Sequence, residues 1–185
     1  RAPLVLGHEP AGIVEECGSG VTRVKPGDRV FVTHHVPCNA CHYCLTGHET
    51  ACETFHTVNN FTPGGFAQFL RVGGMSIDKG TFVLPEEMSF DDGTFIEPLA
   101  TTVRALRTVA LQPAQSVCIV GSGIAGLLMT KLARALGAGT IFAVDLSDYR
   151  LEAARRCGAD VAINAADDVA QAIREHNDEI GRAHV

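Results

Sequence analysis

Four cysteines within a stretch of fifteen residues are the densest group of metal-ligating side chains in the chain. Their spacing is Cys38-x2-Cys41-x2-Cys44-x7-Cys52. Four thiolates at such a spacing can close a tetrahedral zinc site, and a site with four sulfur ligands has no coordination position left for a substrate. The spacing therefore predicts a structural zinc site rather than a catalytic one.

Three other uses of these cysteines compete with zinc. A disulfide set needs an oxidising compartment, whereas Cys17, Cys118 and Cys157 fall in predicted strands or helices, as reduced core thiols do. A ferredoxin-type iron–sulfur motif needs its fourth Cys three residues on and followed by Pro, but here Glu53 follows Cys52. A zinc ribbon for nucleic acid pairs two CxxC knuckles and carries basic charge, whereas this chain has a formal net charge of −6. Zinc in a structural lobe is the interpretation that we prefer.

Two further motifs carry groups that bind metals or move protons. His8 and Glu9 lie at a turn before a predicted strand over 12–17, and Glu97 precedes Pro98 at a predicted helix start. Each has an ordinary alternative, because a His beside a Glu is commonly an exposed pair and a carboxylate in a first helical turn complements the helix dipole. Taken alone, these residues leave both interpretations open. The histidines near the cysteines are interpreted mostly as solvated loop residues, although His34 or His35 could face a cleft.

A glycine motif in the second half of the chain has the pattern of a dinucleotide-binding turn. It reads Gly121-Ser122-Gly123-Ile124-Ala125-Gly126, between a predicted strand over 117–120 and a predicted helix over 124–136. The next predicted strand ends at Asp145, nineteen residues after the last glycine. A strand-to-helix glycine turn is common without a ligand, but here the strand, helix, second strand and acid all accompany it.

The roles of these residues follow from the chemistry of the ligand. The glycines permit the turn, the approach of a pyrophosphate and close packing of the helix, whose N-terminus offers free N–H donors. Asp145 would accept hydrogen bonds from the ribose and repel the 2′-phosphate of NADP, so the motif predicts NAD. Arg150, five residues on, could weaken that repulsion or could be a solvated helix residue.

The elements that must hold these residues are of two kinds. Before residue 85, short apolar runs alternate with Gly and Pro turns, with predicted strands over 12–17, 29–33 and 64–72, as in an antiparallel barrel. From 117 onward, strands and helices alternate in the order β-α-β-α-β, which is the first half of a doubly wound parallel sheet. The fold class is thus α/β plus β.

Composition excludes several classes of protein. The chain has 185 residues, of which 46% are hydrophobic and 19% charged, as is ordinary for a folded chain. Its acidic balance argues against a nucleic-acid partner, and no apolar run approaches the ~20 residues of a membrane span. We expect a cytoplasmic protein without a membrane partner.

Five motifs in the order found here resemble the zinc-dependent medium-chain dehydrogenases. They are GHEPAGIV at 7–14, the four-cysteine motif at 38–52, GGFAQFLRV at 64–72, EPLA at 97–100 and GSGIAG at 121–126. Within that family the chain looks most like the polyol branch, the sorbitol and L-iditol 2-dehydrogenases. The resemblance implies a GroES-like β-barrel catalytic domain over 1–110, which includes the structural zinc lobe. It further implies the first half of a Rossmann NAD-binding domain over 111–179.

The resemblance also assigns roles to single residues. It implies that His8 is a ligand of a catalytic zinc, that Glu9 is its neighbouring carboxylate, and that Glu97 binds the zinc directly or through water. The protein would then hold one catalytic and one structural zinc. Its reaction would be the transfer of a hydride from a secondary alcohol, of the sugar-alcohol class, to NAD. A threonine 3-dehydrogenase or a general alcohol dehydrogenase is the alternative, and a zinc-lobe interaction module is the non-enzymatic one. The resemblance further implies a homo-oligomer, a dimer or tetramer.

Both ends of the chain affect these expectations. The first catalytic ligand of the family, a Cys upstream of the Gly-His-Glu motif, would lie before Arg1, so we expect the 185 residues alone to be inactive. Residues 180–185 back-translate to a common sequencing-adapter read, and we interpret them as an artefact, with a native segment as the alternative.

Overall fold

The computed structural model describes residues 4–58 and 61–176, and the contacts among residues divide the chain into two compact units between Glu97 and Pro98. Residues 180–185, interpreted above as an adapter artefact, lie outside the described residues. Each unit is described by itself.

The first unit is built from short strands with helical segments between them. The strands are β1 (Ala11–Ile13), β2 (Arg29–Val32), β3 (Phe61–Thr62), β4 (Arg71–Val72) and β5 (Thr81–Val83). The helical segments are α1 (His42–Leu45), a 3-10 turn (Glu49–Ala51), α2 (Glu53–Thr57), α3 (Gly74–Gly80), α4 (Phe90–Thr94) and the start of α5 (Ile96–Thr108).

The strands of this unit pair in two antiparallel sheets. β2 lies between β1 and β5, with Gly12 opposite Val30 and Phe31 opposite Phe82, and β3 pairs with β4. Val30 and Val32 alternate inward along β2 and are buried in one apolar cluster with Phe61. The antiparallel pairing predicted for this unit is confirmed.

Two of the predicted strands are shorter in the structure. The predicted strand over 12–17 ends at Ile13, although the N–H of the next residue, Val14, still donates to the carbonyl of Asp28 at 2.9 Å. The predicted strand over 64–72 is wrong except for Arg71–Val72. At the start of this segment, the N–H groups of Gly65 and Phe66 donate to the carbonyls of Gly7 and Leu6. These residues therefore do not join the β3–β4 ladder.

The second unit alternates strands and helices after the end of α5. Its elements are β6 (Val117–Val120), α6 (Ile124–Ala135), β7 (Ile141–Asp145), α7 (Asp148–Arg156), β8 (Val161–Asn164) and α8 (Val169–Glu175). The three strands are parallel in the order β6-β7-β8, which confirms the predicted β-α-β-α-β order. The central strand β7 is buried on both faces, since its residues 141–144 are at most 3% exposed.

The division between the units lies earlier than the domain boundary predicted at 110 and 111. Helix α5 explains the difference, because its Leu106 is 3% exposed and packs with Ile119 and Ala133 of the second unit. Most of the helix therefore contributes to the core of the parallel-sheet unit, although its first turn carries Glu97 in the first unit.

Candidate active site

A glycine contact fixes the turn that carries His8. Gly7 has φ +97°, and a Cβ on it would lie 2.7 Å from the backbone N of Phe66, so that only glycine fits. The N–H of Gly65 donates to the carbonyl of Gly7 at 2.9 Å, and the N–H of Phe66 donates to the carbonyl of Leu6 at 2.8 Å. The 64–66 segment thus holds the backbone from which His8 projects.

Helix α4 leads the chain to Glu97, which lies near His8. Ser89 and Asp92 cap this helix reciprocally, with the Asp92 N–H donating to Ser89 Oγ at 3.0 Å. Gly93 lies against β1, since a Cβ on it would be 3.1 Å from the Cβ of Ala11. Helix α5 begins two residues after α4 ends and presents Glu97 in its first turn.

The structure brings His8, Glu9 and Glu97 together. His8 Nε2 lies 3.7 Å from Glu9 Oε1 and 4.0 Å from Glu97 Oε2, and the three ligand atoms all lie within 4.8 Å of one another. Tetrahedral zinc with nitrogen and oxygen ligands separates them by about 3.4 Å. Small side-chain rotations would close the difference, so the donor set and its spacing fit a zinc ion.

The electrostatics of this group come from its burial and from its neighbours. The Glu97 side chain is only 17% exposed, and burial raises the pKa of its carboxyl, with His8 opposing and Glu9 adding to the shift. The His34 ring lies edge-on to the His8 ring with 4.8 Å between centroids. Burial, followed by the neighbouring His35 and His8, lowers the pKa of His34 to about 4, which leaves this imidazole neutral at pH 7.

An open cavity of about 580 Å³ lies beside His8 and Glu9. Besides these two residues, Leu6, Phe66 and Thr94 line it. The sequence did not identify these lining residues as part of the site, although the glycines on both sides of the contact, at 7, 64 and 65, were a signal that two backbone segments approach closely.

The four cysteines form the predicted cluster. Their sulfur atoms lie within 4.8 Å of one another, with 3.5 Å between the Sγ atoms of Cys41 and Cys44 and 3.9 Å between those of Cys38 and Cys44. Sulfur ligands of a tetrahedral zinc are separated by about 3.8 Å. Lys79 donates to the carbonyl of Cys38 at 2.7 Å and ties this loop to helix α3.

The ionisation of the cluster also suits a cation. The N–H of Cys38 lowers the pKa of the Cys52 thiol to about 6, and the N–H groups of Ala40 and Cys41 lower the pKa of the Cys38 thiol. Burial and the neighbouring Cys41 thiol raise the pKa of Cys44 to about 12. Without a metal, therefore, only part of the cluster is ionised. A divalent cation would stabilise the thiolate form of the cysteines that are still protonated.

The glycine turn between β6 and α6 has the predicted geometry. Gly121 has φ +94°, and a Cβ on Gly126 would lie 1.8 Å from the carbonyl oxygen of Gly121. Gly123 faces open space instead, because a Cβ there would meet no atom within 4 Å. Ser122 is buried and Ile124 is the first residue of α6. Gly126 thus serves packing, whereas Gly123 leaves room for a ligand.

Asp145 at the end of β7 is held directly against this turn. Its carboxylate accepts the N–H of Ser122 at 2.8 Å and the N–H of Ser147 at 2.9 Å, and these two bonds lower the pKa of the carboxyl. Arg150 Nη1 lies 3.7 Å from Asp145 Oδ2 with its side chain largely exposed. The Asp145 carboxylate, which would accept from a ribose, is therefore ionised and held in one position, and the Arg150 guanidinium lies beside it.

Both units match known protein families. Residues 1–77 match the family model of the alcohol dehydrogenase GroES-like domain, and residues 125–184 match that of the zinc-binding dehydrogenases. An alcohol dehydrogenase of Geobacillus stearothermophilus is 37% identical over 100% of this chain and 53% of its own length. A sorbitol dehydrogenase of Bacillus subtilis is 36% identical over 88% of this chain and 45% of its own length. The crystal structure of galactitol-1-phosphate dehydrogenase from Escherichia coli superposes with a TM-score of 0.80 at 33% identity, over 95% of this chain and 51% of that one.

The chain belongs to the zinc-dependent medium-chain alcohol and polyol dehydrogenases. It spans about half the length of the relatives that it matches. The predicted fold class, a GroES-like unit followed by a Rossmann-type unit, is confirmed, and so are zinc and a nicotinamide dinucleotide as the cofactors of the family. Among the described residues, no helix is both long enough and apolar enough to cross a bilayer.

Proposed function

We propose that the protein transfers a hydride from a secondary alcohol, of the polyol class, to NAD with the help of one zinc ion at His8 and a second at the cysteines. The observation that supports this most directly is the convergence of His8, Glu9 and Glu97 from two distant stretches of chain. A bound zinc would lower the pKa of a coordinated hydroxyl toward neutrality.

The side chains of this chain have separate tasks in that proposal. His8 would offer an imidazole nitrogen to the metal, Glu97 a largely buried carboxylate, and the half-exposed Glu9 a second carboxylate 3.7 Å from His8. Phe66 and Leu6, both largely exposed, line the cavity with apolar surface against which the carbon skeleton of a substrate would pack. The Gly121–Gly126 turn and Asp145 would fix the cofactor, so that the nicotinamide is presented in one orientation.

Glu97 favours the polyol class within the family. The family resemblance implies that the polyol branch has this acid where classical alcohol dehydrogenases have a Cys. Threonine and simple secondary alcohols are the rival substrate classes. Threonine dehydrogenases usually have the pattern DPxGNAV at this position. The sequence here, EPLATTV at 97–103, departs from it.

A substrate panel tests this proposal. The protein at its natural length, loaded with zinc, should show its highest kcat/KM with a sugar alcohol such as sorbitol, and lower values with L-threonine and with 2-butanol. His8→Ala should abolish turnover, whereas Glu152→Gln on the exposed face of α7 should leave it unchanged. A higher kcat/KM with L-threonine than with any polyol would contradict the substrate class.

We also propose that the protein is a cytoplasmic homo-oligomer, a dimer or tetramer. All seven cysteines are free, which suits a reducing compartment. Val120 is 81% exposed and Phe82 is 52% exposed, and apolar surface of this kind is what subunit contacts cover. Light scattering on the protein at its natural length tests the assembly, and a monomer at micromolar concentration would contradict it.

A further inference from the structure

A series of four rings connects the cysteine cluster to His8. The Phe55 ring stacks on the His35 ring with 4.8 Å between centroids and an interplanar angle of 25°. The His35 ring contacts the His34 ring at 4.2 Å, and the His34 ring contacts the His8 ring edge-on at 4.8 Å. All four residues belong to the first unit. We call Phe55, His35, His34 and His8 the ring series.

One end of the ring series is fixed by a cysteine of the cluster. Cys52 is 1% exposed and is the residue directly before helix α2, which carries Phe55. The backbone N–H groups of Cys38 and Phe55 both donate to the Cys52 sulfur. The position of Phe55 therefore depends on where this sulfur lies, and a metal bound by the four cysteines would fix it.

The middle of the ring series is anchored to the sheet. The Thr33 N–H donates to the carbonyl of Gly80 at 2.8 Å, and Val36 is 1% exposed. His34 and His35 lie between these two points, so their backbone has little freedom. Their side chains are packed between the Phe55 ring and the His8 ring, which itself has a mostly exposed side chain.

We propose that the cysteine cluster positions His8 through the ring series, so that a metal at the cysteines raises the affinity of the His8, Glu9 and Glu97 group for its own metal. This inference rests on the metal roles proposed above for both groups. An imidazole held in one orientation binds a metal more tightly than one that must be ordered during binding. His34 touches the His8 ring, and His35 and Phe55 act on His8 through His34, so all three are positioning residues.

Cobalt binding to the protein at its natural length, with one zinc held at the cysteines, tests this directly. Metal analysis after dialysis distinguishes the two groups, because the cysteines then hold zinc and the bound cobalt lies elsewhere. Phe55→Leu removes the flat ring and retains apolar volume, and should weaken cobalt binding at the His8 group by about tenfold, at the lower end of the range for residues that orient a ligand. Phe55→Tyr retains the stack and should bind cobalt like the unsubstituted chain.

Two controls separate this coupling from a general loss of structure. Leu45→Ala removes a largely exposed side chain from α1 in the same lobe and should leave the cobalt dissociation constant unchanged. Metal analysis should find one zinc at the cysteines in every variant.

Three results would contradict the account. Equal cobalt affinity in Phe55→Leu and the unsubstituted chain would overturn the coupling, and so would a Phe55→Tyr variant as weak as Phe55→Leu. Both results would leave the proposed metal role of His8 intact. Failure of the unsubstituted chain to bind any cobalt outside the cysteines would overturn that metal role together with the coupling.

Discussion

Single residues in this chain often have a structural and a chemical role at once. Asp145 is the clearest example, since it accepts the N–H groups of Ser122 and Ser147 and is also the acid that we propose accepts from a ribose. The sequence predicted its cofactor role from spacing alone. Its contact with the glycine turn required the structure, because the sequence does not show which N–H groups a carboxylate reaches.

The choice between NAD and NADP should depend on Asp145. Asp145→Ser should lower NADH affinity about tenfold, because the ribose loses a charged acceptor, and should raise NADPH affinity, because the 2′-phosphate is no longer repelled. Arg150→Ala is the matched variant and should weaken NADPH binding more than NADH binding. Fluorescence titrations with both reduced cofactors measure these constants, and an unsubstituted protein that prefers NADPH would contradict the assignment.

At the scale of elements, the two glycines of the β6–α6 turn have different roles. Gly126→Ala should lower the melting temperature strongly, because its Cβ would lie 1.8 Å from the Gly121 carbonyl oxygen. Gly123→Ala should leave the melting temperature nearly unchanged and weaken NADH binding, since its Cβ would enter the open space that we propose for the pyrophosphate. Thermal unfolding and NADH titration test both variants. Full NADH affinity in Gly123→Ala would show that this turn does not bind the pyrophosphate.

The parallel sheet is also tied by a pH-dependent contact. Asp160 accepts from the Ile141 N–H at 2.8 Å and from Arg134 Nη2 at 2.5 Å. Burial opposes its ionisation, but these two hydrogen bonds outweigh burial and lower the pKa of the carboxyl below its ordinary value of 3.8. A depressed pKa in the folded state means that ionised Asp160 stabilises the fold above its unfolded pKa, and that this contribution is lost as the pH falls through the folded value.

Asp160→Asn should therefore destabilise the protein by about 1 kcal/mol at pH 7, mostly through the Ile141 hydrogen bond, because the partly exposed ion pair with Arg134 adds little. The difference from the unsubstituted protein should stay constant down to about pH 5 and shrink below about pH 4. Urea unfolding over this pH range measures it, with Glu152→Gln as an exposed control. A difference that grows on acidification would contradict the sign.

Elements with strong local patterns were predicted well, and those that depend on distant partners were not. The buried run of β7 and the glycine turn before α6 follow from local sequence, and both lie where predicted. The 64–72 segment alternates like a strand, yet its first residues pair with Leu6 and Gly7, more than fifty residues away. Such long-range pairing is not encoded in local periodicity.

At the scale of the whole molecule, each unit has its own apolar core, and the cysteine cluster lies within the first unit alone. Cys41→Ser should remove one equivalent of zinc and lower the melting temperature of the first unit by more than about 5 °C, because a closed zinc site contributes folding energy. The melting temperature of the second unit should be nearly unchanged. Calorimetry with metal analysis tests this, and equal shifts in both transitions would contradict a local role for the cluster.

The metal content of the active protein tests the central claim most directly. One zinc is proposed to lie at His8, Glu9 and Glu97 and another at the four cysteines. Elemental analysis of the metal-replete protein at its natural length, assayed in parallel for NAD-linked oxidation of a polyol, should give two zinc ions per chain. His8→Ala should reduce this to one and abolish turnover. A fully active, metal-replete protein with a single zinc would contradict the account.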